Sequence, residues 1–114
     1  MQKTVRPVRF RGEAGMREEM PDVKARITLT GRDFVCSGYR PAHRIGDYLT
    51  TGVQEYRNGE MLKRGETAEG VIYFLSPEYY PHSLKCGMKI YFQEGARITG
   101  YVEILEIYND ILRA

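Results

Sequence analysis

A chain of 114 residues, 42% hydrophobic and 28% charged, is long enough to bury about two thirds of its unfolded surface and short enough to be a single domain. Seventeen lysines and arginines against fifteen aspartates and glutamates leave a formal charge of +2, which excludes nucleic-acid binding by overall charge and confines any such site to a local patch. The longest apolar run, VIYFL at residues 71–75, is far short of the roughly twenty residues of a membrane span. The opening MQKTVRPVRF has no apolar signal core, so a cytoplasmic protein with no membrane partner is expected.

Residues 1–20 mix five basic residues with three glutamates and carry only Val5, Val8 and Phe10 in weak alternation, so this segment reads as an arm with one strand near residues 5–10. The character changes at Pro21, where a domain running to the end of the chain begins. VKARITL alternates Val23, Ala25, Ile27 and Leu29 against Lys24, Arg26 and Thr28, the pattern of a strand with one wet face. EGVIYFL alternates in the same way. So does MKIYFQ, with Met88, Ile90 and Phe92 opposite Lys89, Tyr91 and Gln93.

In the tail, ARITGYVEILEIYNDIL, a helical face competes with a strand, but Gly100 and the β-branched and aromatic residues around it favour a long strand ending in one helical turn. Between these runs stand TGRD, RNGE, KRGE, SPEYYP, KCG and QEGAR, each rich in turn-forming residues. Short strands at such spacing predict a closed all-β domain.

The chemical candidates are few. Cys36 and Cys86 make no CxxC pair and too few disulfides for a framework, so they are expected to be reduced thiols, buried in the core or along a strand. With His43 and His82 they contain metal-binding residue types, but Cys36 and His43 lack the close ligand spacing of knuckle turns. No metal is therefore expected, and the histidines read as surface imidazoles. A thiol nucleophile would need a base within reach and an oxyanion-stabilising group, and no motif nominates either, so no enzyme and no cofactor are expected. GxxxxGK[ST] and GxGxxG are both absent, so this chain alone is expected to bind no GTP.

Nine tyrosines and four phenylalanines are the most suggestive general feature. Interleaved with Arg40, Arg44, Arg57, Arg64 and Arg97, they form either a stacking and phosphate-contacting surface for RNA or the ordinary half-buried faces of barrel strands.

The order of motifs resembles the third, C-terminal β-barrel domain of elongation factor Tu and related translational GTPases. VKARITL, GYRP at residues 38–41, YLTTG at 48–52, GEMLKRGET at 59–67 and LKCGMKIYFQEGARITGYVEI at 84–104 follow the family's F-x-A-x-V-Y-x-L strand, GYRPQF, FRTTDVTG, MVMPGD segment and IREGGRTVGAGVV hairpin. The likeness runs from Val23 to Ile107. It implies a closed six-stranded antiparallel β-barrel, with Gly38 and Pro41 at a bend around Arg40. Residues 42–49 are about three longer than the family's equivalent, which predicts a bulge or loop at residues 43–47. In the family this domain packs on the GTPase domain, contacts the T arm of aminoacyl-tRNA and receives protein partners.

Carried over residue by residue, the resemblance nominates Tyr39, Arg40, Thr50, Thr51, Gly95 and Arg97 for contact with RNA or a partner. Several positions depart from the pattern: Leu49 replaces the arginine before the paired threonines, REGGRT has become QEGARI, and an insertion is reduced to GRDF. Fewer cations imply a weaker grip on tRNA, because each lost phosphate contact removes part of the counterion-release contribution. The resulting expectation is a non-catalytic binding module for tRNA or other RNA. The alternative is a protein-binding regulator or immunity-type protein whose partner is a translation factor, a GTPase domain or a toxin.

Overall fold

The computed structural model describes residues 8–9, 16–17, 20–57 and 59–114. Two short strands, β1 (Val8–Arg9) and β2 (Met16–Arg17), pair antiparallel. Apart from the exposed Met20, the rest of the expected arm lies outside the described residues.

Six strands close the barrel: β3 (Val23–Leu29), β5 (Ala42–Ile45), β6 (Tyr48–Tyr56), β8 (Thr67–Phe74), β9 (Lys89–Glu94) and β10 (Arg97–Ile107). Their order around the wall is β10-β3-β8-β6-β5-β9, and every pair is antiparallel. The all-β expectation and the closed six-stranded antiparallel barrel are therefore both met. Strand β3 shows why the sequence folds this way. Val23, Ala25, Ile27 and Leu29 are fully buried, while Arg26 turns outward to pair with Glu103 of β10 at 2.7 Å and Lys24 with Glu69 of β8 at 3.6 Å. Burying four apolar side chains at roughly 25 cal/mol per Å² far outweighs two exposed ion pairs, each worth less than about 1 kcal/mol.

Gly100, in β10, lies where the wall is tightest. A Cβ there would collide with the Phe92 ring and the Thr28 carbonyl oxygen, so the fully buried Phe92 occupies the space that a side chain would need.

The antiparallel register defines two ends. At one, β3 finishes at Leu29, β8 starts at Thr67, and β9 turns into β10. A separate pair, β4 (Phe34–Cys36) with β7 (Met61–Lys63), sits at this end, tied down by the Gly65 amide on the Leu29 carbonyl and seating Val35 and Leu62 inward. At the other end Leu84 and Leu112 are fully buried, and Leu112 closes a short 3-10 turn, Asp110–Leu112. The tail is thus a long strand followed by one helical turn, as its composition predicts. The chain passes from the β4/β7 pair into the barrel through the turn at Ser37 and Gly38 and through Pro41, the bend expected there.

Three expectations are corrected. Residues 43–47 are not a bulge or loop: strand β5 continues through His43 and Ile45, both turned inward, and only Gly46 and Asp47 form the turn into β6. His43 is consequently not a surface imidazole but a fully buried one, packed against Phe74 and Phe92 with ring centroids 5.4 and 5.7 Å away. Cys36 and Cys86 are exposed rather than buried. Cys36 shares the outward face of β4 with Phe34, because Val35 takes the inward position, and Cys86 lies in the turn before β9.

Candidate functional site

The β9–β10 connection is a two-residue turn flanked by the pair Glu94 and Arg97. Gly95 takes φ +58°, a left-handed conformation that glycine adopts without steric cost, and its carbonyl accepts a bond from Gln93 Nε2 at 2.6 Å. Gln93 itself is buried, although strand alternation assigns it to the wet face. The turn projects Arg97 at the barrel end, where its guanidinium donates to the Gly31 carbonyl.

Arg97 does not stand alone there. Arg32, Asp33, Phe34, Arg64, Glu94 and Arg97 line one open cleft of about 330 Å³. Arg32 Nη1 lies 2.9 Å from Glu94 Oε2 and its guanidinium 5.9 Å from the Tyr39 ring centre, while Arg64 Nη2 lies 2.8 Å from Asp33 Oδ1 and its Nε donates to the Arg32 carbonyl at 3.3 Å. Arg97 has no carboxylate at ion-pair distance among the described residues. Three guanidiniums against two carboxylates leave the cleft one net positive charge.

Tyr39 stiffens this arrangement from below. Its hydroxyl donates to Glu94 Oε2 at 2.6 Å and meets Thr99 Oγ1 at 2.9 Å, while its ring packs edge-on against Phe92. Burial, and then the bond to Glu94, push the Tyr39 hydroxyl up to about 12, so it stays a donor across the physiological range. The same bond, with Arg32, holds the Glu94 carboxyl below its ordinary value. Arg32 is therefore oriented by a carboxylate that is itself fixed to the core.

The six nominated residues do not form one site. Tyr39, Gly95 and Arg97 belong to the arginine cleft or its support. Arg40 and Thr51 line a second groove of about 400 Å³ with Met20, Asp22, Tyr73 and Leu75, toward the opposite end. Thr50 is buried, bonded to the Leu75 carbonyl at 3.1 Å and the Tyr80 hydroxyl at 2.7 Å, so it ties the end of β8 to the segment that follows it. The aromatic residues divide in the same way. Tyr56, Tyr73 and Tyr80 are buried, whereas Tyr91 and Tyr101 stand on the outer wall with Lys89 Nζ 4.2 Å from the Tyr101 ring centre.

Arg32, Asp33, Phe34 and Glu94 were not nominated by the sequence. The only signal for the first three was the charged and aromatic content of GRDF, and nothing local shows that this loop meets the β9–β10 turn, where Glu94 lies 62 residues after Arg32. No group of three or more His, Cys, Asp or Glu side chains able to hold a metal occurs among the described residues, and among them no helix is long and apolar enough to cross a membrane. Comparison with protein-family models and with curated proteins gives no match.

Proposed function

We propose that this chain is a non-catalytic binding module, akin to the C-terminal barrel of elongation factor Tu, that engages RNA through its arginine-lined end. The observation that carries this reading is the convergence of Arg32, Arg64 and Arg97, two of them oriented by carboxylates and the third left for a ligand anion. Guanidiniums held in fixed orientation suit phosphate oxygens, to which they donate two parallel bonds. The motif order from GYRP to EGAR supports the same reading, and an RNA partner such as tRNA implies a cytoplasmic protein.

The test is binding to total tRNA across a salt series. Arg97→Glu is expected to weaken binding and to flatten the salt dependence by about one phosphate contact, whereas Arg40→Glu, in the other groove, leaves binding near the parent value. Both variants keep the parent's melting temperature within a few degrees, since exposed charges contribute little to folding.

A second reading, a protein partner such as a translation factor, a GTPase domain or a toxin, is favoured by the opposite end. Tyr48, Leu49, Leu75 and Tyr79 are exposed there, Tyr79 at 70% and Leu75 at 65%. No tRNA binding at physiological salt, with a salt-tolerant protein pull-down, would select that reading.

A further inference from the structure

From the composition of the arginine cleft we infer that it receives one unpaired nucleotide of an RNA strand, with the phosphate on Arg97 and the base against Phe34. This rests on the RNA reading above and narrows it to a kind of RNA. Phe34 is 49% exposed although its strand neighbour Val35 is buried, and it lines the same cleft as the three arginines. The β4/β7 pairing enforces that position: Phe34 opposes Lys63 and Val35 opposes Leu62, so seating Val35 and Leu62 in the barrel end turns Phe34 outward.

The cleft of about 330 Å³ therefore brings together an exposed aromatic side chain and a guanidinium with free donors. Unpaired RNA is held by this combination, because its bases can leave their stack and lie on an aromatic ring while the backbone follows the cations. A duplex keeps its bases stacked and would leave Phe34 without a partner. The two carboxylates restrict the site further. Glu94 is already bonded to Tyr39 and Arg32, and Asp33, whose side chain is 89% exposed, accepts from Arg64. With both carboxylates engaged by Arg32 and Arg64, Arg97 is the guanidinium of the cleft with no carboxylate at ion-pair distance among the described residues, and the phosphate is assigned to it although Glu94 faces it across the turn and weakens its pull. Arg97 spends one donor direction on the Gly31 carbonyl, and a guanidinium has five N–H groups, so donors remain for that phosphate.

The experiment is fluorescence anisotropy with labelled single-stranded oligouridylate, a labelled RNA duplex, and inorganic polyphosphate as a competitor that has charge but no bases. The variants are Phe34→Leu, which keeps apolar volume without a π face, Phe34→Tyr, which keeps the face, and Arg97→Gln. Phe34→Leu is expected to bind oligouridylate about tenfold more weakly, with polyphosphate competition unchanged, and Phe34→Tyr to restore the parent affinity. Arg97→Gln is expected to weaken both ligands and to lower the salt slope by about 0.7, the single-strand value per contact.

Parent-level oligouridylate binding by Phe34→Leu, or an equal loss toward polyphosphate, overturns the inference. Parent binding to the duplex but not to the single strand overturns it and leaves the RNA reading standing. Parent binding to neither RNA overturns both.

Discussion

The two ends of the barrel are built on opposite principles. At the arginine end the charged groups are exposed, each guanidinium lying against a carboxylate, an aromatic ring or a carbonyl that orients it. At the other end polarity is drawn inside. Asp22 is almost fully buried, its Oδ2 accepts from the Phe74 amide at 2.6 Å and its Oδ1 from Asn109 Nδ2 at 2.8 Å, and its backbone carbonyl accepts from the amides of Tyr108 and Asn109. A buried acceptor with several donors holds strand ends together, whereas exposed cations stabilise the fold little and remain available to a ligand. One end anchors the fold and the other presents a surface.

The largest effect is expected where the anchor is removed. Asp22→Ala leaves the buried Phe74 amide without an acceptor and removes the half-buried bond to the Asn109 side chain, and stability should fall by roughly 3 kcal/mol in urea unfolding, counting about 1–3 kcal/mol for the unsatisfied amide and about 1 kcal/mol for the second bond. A loss below about 1 kcal/mol would mean that this end does not anchor the fold, and the contrast between the ends would collapse.

Between the two ends lies His43, whose Nε2 accepts from Gln54 Nε2 at 3.0 Å while its Nδ1 makes no hydrogen bond of normal geometry. Burial lowers its pKa from 6.5 to about 4, with the neighbouring backbone of Thr50 and Pro41 opposing. The unfolded chain thus takes up a proton that the folded one refuses. The stability held by neutral His43 is complete above pH 6.5 and is lost as the pH falls toward 4, by roughly 3 kcal/mol. Unfolding of the parent and of His43→Leu should therefore diverge in slope between pH 6.5 and 4, and parallel curves would show that the imidazole is not sealed in.

Substitutions at the presenting end should cost less. Gly95→Val forces a β-branched residue into φ +58° and should destabilise by about 1–2 kcal/mol, with the loss confined to the β9–β10 turn in hydrogen exchange. The smallest effect belongs to Cys36→Ser with Cys86→Ser. Both thiols are exposed, so the double variant should melt within about 0.5 kcal/mol of the parent, where buried thiols would cost several times more.

How far these features can be read in the sequence depends on how local their causes are. Strands β3, β8, β9 and β10 were legible because alternation is a property of consecutive residues, and Gly95 because its turn lies between two such runs. Strand β5 was not: AHRI places a histidine at an inward position, and an imidazole reads as polar until Phe74 and Phe92 are seen to enclose it. The cysteines failed for the converse reason. Their small apolar side chains suit a core, but inward Val35 set the face of Cys36 and the turn before β9 set that of Cys86.

The candidate site divides along the same line. The position of Arg97 could be read from the sequence because its own turn sets it, whereas the burial of Thr50 could not, because the Tyr80 hydroxyl bonded to it lies thirty residues away. Strands β3, β8, β9 and β10 and the turns between such runs could be read from consecutive residues, since both follow from side-chain period and local backbone freedom. Only the tertiary structure decided that Arg32, Phe34, Arg64 and Arg97 share one cleft. Closing the barrel brings the β3–β4 loop, the β7–β8 turn and the β9–β10 turn to the same end, and that juxtaposition comes from pairing between distant strands, of which no short stretch carries a trace.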